Sequence, residues 1–174
     1  MDRTIYKILK KLNNNTNEAY VVGGYVRDKI LNITSNDIDI CTNMLPKDVI
    51  NVLNLDKKTK DNFGSINIKT KKYNIDITTY RKEKNYKNHT PKSIEYVNDI
   101  NIDLKRRDFT CNQLLLDING NIIDNYNGIN DINNKIIKCI GNTNKKLSED
   151  PIRILRAIRL STIYDFKLDN EIIE

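Results

Sequence analysis

In "TIYKILKKL" the apolar residues Ile5, Ile8, Leu9 and Leu12 recur at the spacing of one helix face, and the run "AYVV" that follows reads as a short buried strand. After Gly23 and Gly24, "YVRDKIL" returns to helical spacing. "NDIDICT" then alternates polar and apolar residues as a half-buried strand does. "LPKDVINVL" predicts a further helix with Pro46 in its first turn. "FGSINIKT" and "YNIDITTYR" alternate β-branched residues on either side of a lysine-rich corner, which predicts an antiparallel hairpin. Residues 82–92, "KEKNYKNHTPK", are polar, charged and interrupted by proline, and predict a mobile loop.

The second half of the chain predicts a helix across "RRDFTCNQLLL" and a hairpin in "LLLDINGNIID" that turns at Asn119 and Gly120. A short helical segment after Gly128 and a strand in "KIIKCIG" come next. The last long helix is expected to open at "SEDPIRILRAIRLSTIY", with Ser148 or Asp150 as its cap and Pro151 in its first turn. "DNEIIE" reads as one more helix. The chain has no internal repeat.

Composition narrows the class. Of 174 residues, 39% are hydrophobic and 30% charged, which is the make-up of a globular domain with a real core. A formal charge of +6 favours a polyanionic partner such as RNA or a nucleotide. Cys41, Cys111 and Cys139 are odd in number and lack CxxC spacing, so they predict small buried apolar residues rather than disulfides or a zinc site. With neither a secretory signal nor a run of about 20 apolar residues, a reducing, cytoplasmic setting without a membrane span is expected. His89, the single histidine, has no cysteine or histidine neighbour in its polar segment and reads as a solvated residue.

The chemistry concentrates around residues 21–40. On a strand, Asp37 and Asp39 point the same way, with about 6–7 Å between their Cα atoms. Like charges so close are relieved by a cation, and hard oxygen ligands suit Mg²⁺, which also takes substrate phosphates. Taken alone, a pattern as short as D-x-D favours a solvated strand face. Gly23 and Gly24 end the preceding strand and open a helix, where backbone N–H groups can approach an anion. Taken alone, that is also an ordinary turn; beside a paired-carboxylate face, the two features reinforce each other.

"GGYVRD", "DIDI", "IDITTYR" at 75–81, "DLKRRDFTCN" at 103–112 and "EDPIRILRAIR" at 149–159 occur in the order of, and resemble, the motifs of the class II tRNA nucleotidyltransferase and bacterial poly(A) polymerase family. The resemblance implies an α+β fold: a polymerase beta-like nucleotidyltransferase head over residues 1–140, with a mixed sheet flanked by helices. The start of a helical neck is implied over 141–174.

Carried over residue by residue, the resemblance assigns Asp37 and Asp39 to the catalytic metals and Asp76 to a third carboxylate. It places Gly23, Gly24 and Arg27 on the triphosphate, Arg107 and Asp108 near the nucleotide, and Asn112 near the ribose. Asp150, Arg153, Arg156 and Arg159 match the family's nucleotide-reading helix. The implied activity is Mg²⁺-dependent addition of CMP and AMP from CTP and ATP to the 3′ end of tRNA. The same motifs serve poly(A) polymerases and specialists that add only CC or only A, and a noncatalytic RNA-binding module on this fold is the rival of another class.

Two departures stand out. "YKNHTP" lacks the arginine that the family usually carries before its proline. The family also extends well beyond this length, so tRNA holding is expected to need a further C-terminal region or a partner chain.

Overall fold

The first helix, α1 (Arg3–Leu12), is capped by Asp2, whose carboxylate accepts from Thr4 N at 2.8 Å. It buries Ile5, Leu9 and Leu12, as the apolar spacing requires. The chain then enters β1 (Ala19–Val22), α2 (Gly24–Ile30), β2 (Asp37–Thr42) and α3 (Pro46–Leu53). A hairpin of β3 (Ser65–Lys69) and β4 (Asn74–Thr79) follows, antiparallel as expected. This computed structural model describes residues 1–56, 58–59, 61–87 and 90–174, with backbone alone at 84–87 and 90–92. His89 lies outside the described residues.

Residues 82–92, expected as a loop, instead belong largely to a second hairpin, β5 (Arg81–Lys87) against β6 (Thr90–Tyr96). Its polar composition hides a backbone ladder. At the base of the hairpin Arg81 ion-pairs with Glu83 of the same strand at 2.6 Å, and Glu83 also pairs with Arg106 at 3.2 Å, which ties the hairpin to the chain that follows.

The helix expected across "RRDFTCNQLLL" is displaced. It ends earlier, as α4 (Ile100–Arg106), and Arg107 is already extended. Thr110–Asn112 make only a single 3₁₀ turn. Non-local pairing explains the difference: Thr110 N donates to Lys138 O and Ile140 N donates to Asp108 O, both at 3.0 Å. Each of those bonds takes a backbone group that a helix would have used.

Next come β7 (Leu115–Leu116) and β8 (Ile122–Ile123), joined at the expected Asn119–Gly120 turn, then α5 (Gly128–Asn133) and β9 (Ile136–Ile137). The six-stranded sheet has the order β3-β4-β2-β1-β7-β8, with β2 and β4 parallel and its other pairs antiparallel. It is the mixed sheet that the family resemblance implies.

The expected long C-terminal helix forms as one element, and a shorter helix not predicted from the sequence precedes it. α6 (Thr143–Glu149) is capped by Asn142 and holds Ser148 in its interior rather than at a cap. The break falls at Asp150, because a residue before proline is driven out of the helical region; its φ is −149° and its ψ is 93°. α7 (Ile152–Tyr164) then starts with Pro151 at its cap position rather than in its first turn, while Asp150, one residue earlier, accepts from Ile152 N through Oδ1 at 3.1 Å. A short β10 (Lys167–Leu168) pairs parallel with β9, and α8 (Asn170–Ile173) closes the chain. Ala157 and Phe166 bury themselves in the same core as α1, β2 and β4. The three cysteines are free and buried, as expected.

Candidate active site

The period of two along β2 sends Ile38 and Ile40 into the core and leaves Asp37 and Asp39 on the opposite, exposed face. The parallel register places Asp39 directly beside Asp76 of β4. Asp76 accepts from Asn67 Nδ2 at 3.1 Å and Asp37 from Asn74 Nδ2 at 3.3 Å. Although Asp39 stays open to solvent, the cleft walls partly desolvate its carboxyl and raise it above its ordinary pKa; Asp76 and Asp37 add to the rise, while Arg107 and Arg156 oppose it. Among the described residues, no three carboxylate, cysteine or histidine side chains converge on one point. Closely placed carboxylates without full compensation do fit a divalent ion that completes its shell with water and substrate phosphates.

Behind Asp39 the chain turns at Gly23, whose φ of 81° and ψ of −146° belong to glycine alone. Gly23 O accepts from Val26 N and Arg27 N and so starts α2. Arg27 does not reach the cleft. Its Nε and one terminal nitrogen bond Asp28 Oδ1 at 3.0 and 2.8 Å, its other terminal nitrogen bonds Asn112, and its side chain is 7% exposed.

The C-terminal end of α4 supplies a cluster of charges. Asp103 is fully buried and accepts from Arg106 Nε at 2.9 Å, from a terminal nitrogen of Arg107 at 3.0 Å and from Arg81 N at 3.2 Å. Burial alone would raise its pKa, but Arg107 and Arg106 hold it below the ordinary carboxylate range. Glu83 pairs with both Arg81 and Arg106. Of this cluster only Arg107 is a candidate from the sequence. Arg81 and Asp103 sit inside matching motifs without an assigned role, and Glu83 sits in a segment read as loop.

The neck side enters through α6 and α7. Arg153 is buried and donates to Lys146 O at 2.7 Å and Arg106 O at 3.3 Å, so it ties α6 to the end of α4. Arg156 pairs with Asp108 at 2.7 Å. Arg159 is exposed and does not line the cleft. A cavity of about 350 Å³ brings together Gly23, Gly24, Asp39, Arg107, Asp108, Asn112, Asp150, Arg153 and Arg156, along with Arg81, Glu83 and Arg106. Asp37 and Asp76 flank Asp39 on the sheet; Arg27 lies beneath the cavity floor and Arg159 outside it.

A mixed sheet with carboxylates on one face, a glycine corner beside them and charged helix ends closing the cleft defines a nucleotidyltransferase head domain. Residues 19–138 match the model of the poly A polymerase head domain, and the chain belongs to that family. A "CCA-adding enzyme" of Staphylococcus epidermidis is 36% identical over 165 residues, covering 94% of this chain and 41% of that protein. The crystal structure of the Bacillus stearothermophilus CCA-adding enzyme in complex with CTP superposes with a TM-score of 0.85 at 31% identity, over 99% of this chain and 42% of that one. A tRNA nucleotidyltransferase complexed with a primer tRNA and an incoming ATP analog gives a TM-score of 0.76 at 27% identity, over 97% of this chain and 47% of that one. The chain spans about two fifths of the length of such relatives.

Proposed function

We propose that the chain carries the catalytic centre of a template-independent RNA nucleotidyltransferase that adds CMP and AMP from CTP and ATP to the 3′ end of tRNA and releases pyrophosphate. The observation that carries this reading is the single cleft in which Asp39, the Gly23–Gly24 corner and the Asp150, Arg153 and Arg156 side of α7 meet. Asp37 and Asp39, with Asp76 alongside, are the residues that would hold Mg²⁺. When bound, the metal would supply a lowered pKa for the RNA 3′-hydroxyl and stabilise the leaving oxygen. Gly23 and Gly24 present backbone to the triphosphate, Arg107 stands opposite Asp39 to neutralise developing charge, and Asp108 and Asn112 face the sugar.

The buried thiols supply no nucleophile: burial pushes Cys41 and Cys111 up to about 12. They also suit a reducing compartment, so a cytoplasmic setting belongs to the proposal. No helix among the described residues is long and apolar enough to cross a membrane. A second hollow, of about 890 Å³, shares Glu83, Arg106 and Arg153 with the cleft and is edged by Lys82, Lys105, Lys145 and Lys146. This basic continuation supports a polyanionic RNA partner.

The test is extension of tRNAs that end before, within and after CCA, with each nucleotide offered singly in Mg²⁺. Completion of CCA and no further growth is expected. Long adenylate tails, or addition of only C or only A, would replace the proposed specificity with that of a sister activity. Binding of tRNA without incorporation would overturn catalysis.

A further inference from the structure

Tyr164, at the last turn of α7, touches nothing in the cleft, yet it meets the group on which the cleft floor rests. Its ring lies under the Arg27 guanidinium, with 4.1 Å between the guanidinium carbon and the ring centroid. Its hydroxyl accepts a hydrogen bond from Arg27 and donates one to Asp28 Oδ1 at 2.9 Å. The ring is itself fixed against the buried Phe166, 5.9 Å away between centroids. Arg27 in turn holds the Asn112 carboxamide oxygen, and a β-carbon added to Gly24 would come within 3.3 Å of an Arg27 nitrogen. One aromatic side chain on the helix that bears Arg153 and Arg156 thus braces two residues that line the cleft from the other side, Gly24 and Asn112.

We propose that Tyr164 is a positioning residue for the nucleotide: through Arg27 it sets the Asn112 side chain and the Gly24 backbone against the incoming triphosphate. The inference rests on the reading of the cleft as a nucleotide site. A phenol fits the task because it combines a π face for the guanidinium with a hydroxyl that accepts from Arg27 while donating to Asp28. Phenylalanine keeps the face and loses the bridge; leucine loses both.

The experiment measures CTP affinity of the chain in Mg²⁺ for the wild type, Tyr164→Phe, Tyr164→Leu, Asn112→Ala and the Tyr164→Phe/Asn112→Ala double variant, with a thermal melt of each. Tyr164→Phe is expected to weaken CTP about three- to tenfold, the worth of one or two hydrogen bonds. Tyr164→Leu is expected to weaken it more. In the Asn112→Ala background the phenylalanine should cost less than it does alone, the remainder being the part that runs through Gly24, because residues that act through one another are not additive. Unchanged affinity in Tyr164→Phe, or fully additive losses in the double variant, would overturn the proposal. If Tyr164→Leu does not fold, Tyr164→Phe and the double variant decide it. A wild-type chain that binds no CTP would refute the nucleotide site itself, and that result is read before any variant is compared.

Discussion

A β-carbon placed on Gly23 would lie 2.9 Å from Oδ2 of Asp39, closer than real β-carbons approach an oxygen. The glycine corner and the carboxylate are therefore built against each other: the turn that opens α2 supplies the wall on which Asp39 rests. Gly23→Ala should fail twice, because φ of 81° and ψ of −146° cost a residue with a side chain about 1–3 kcal/mol, and because the new methyl displaces Asp39. The expected outcome is a lower melting temperature together with loss of Mg²⁺-dependent nucleotide addition. Full activity in a folded Gly23→Ala protein would contradict the reading of this contact.

Asp39→Asn separates chemistry from stability. Burial and the charges of Asp76 and Asp37 raise the Asp39 pKa, so the native state holds a proton more tightly than the unfolded chain does. The charged carboxylate then costs stability above that raised value, and the cost fades as pH falls through it. The asparagine variant should therefore melt higher than wild type at neutral pH, with the gap closing in acid. It should also lose nucleotide addition by about a thousandfold or more, the scale of a metal ligand's contribution. A variant that is less stable at pH 7 yet fully active would remove Asp39 from the proposed role.

What could be read in advance follows from the range of the forces involved. The period of two in "DIDI" needs only the strand itself, so the shared face of Asp37 and Asp39 is visible in the sequence. The pairing of Asp39 with Asp76 depends on a parallel register across an intervening helix and strand, which no local pattern encodes. The helix misplaced onto "RRDFTCNQLLL" lost to backbone bonds with Lys138 and Ile140, some thirty residues away in the chain. α6 was hidden because "TNKKLSE" offers one apolar residue and no stripe. On α7 the apolar row Ile154, Leu155 and Ile158 is 40%, 66% and 48% exposed, while Arg153 and Ala157 face inward. Ala157, Leu160 and Tyr164 pack on the core and Arg153 bonds the end of α4, and these contacts orient that helix. Arg27 was legible as a motif residue, but its partners Asp28 and Tyr164 were not.

Gln113 is fully buried, and neither its amide nitrogen nor its amide oxygen has a hydrogen-bond partner among the described residues. Burying such a group unpaired costs about 1–3 kcal/mol. Gln113→Met keeps an unbranched side chain of similar size and removes the unpaired dipole. It should raise the melting temperature by about 2–4 °C for each kcal/mol recovered. A variant no more stable than wild type would mean that the amide is satisfied in solution.

Lys146 donates from α6 to the terminal carbonyls of α4 at Lys105 and Arg107, and burial, reinforced by Arg153, lowers its pKa to about 8. Between that value and the ordinary lysine range the native state is neutral there while the unfolded chain is charged. The unfolded state then binds more protons, so this residue makes stability rise with pH across that interval. Melts of wild type and Lys146→Met from pH 7 to 10 should show their difference shifting in favour of wild type as pH rises. A difference flat in pH would show that the amine stays charged in the fold.

The base is expected to be chosen at the junction of α6 and α7, where Asp150 and Arg153 line the cleft together. Cytosine and adenine each present an amino donor beside a ring-nitrogen acceptor on the Watson–Crick edge; uracil and guanine present a carbonyl acceptor beside a ring N–H donor. An ionised aspartate only accepts and an arginine only donates, so the pair complements C and A and sets like against like for U and G. Each mismatched buried group costs about 1–3 kcal/mol, which is roughly five- to hundredfold in selectivity. Arg153 also ties Lys146 O to Arg106 O, so its removal alone would loosen the wall as well as the reading. The Asp150→Ala/Arg153→Ala double variant shares that loosening, yet it should lose discrimination against UTP and GTP by more than it loses Mg²⁺-dependent turnover with CTP. Relative kcat/KM for the four nucleotides on one primer tRNA decides it, and a double variant that still incorporates only C and A would place the choice of base elsewhere in the cleft.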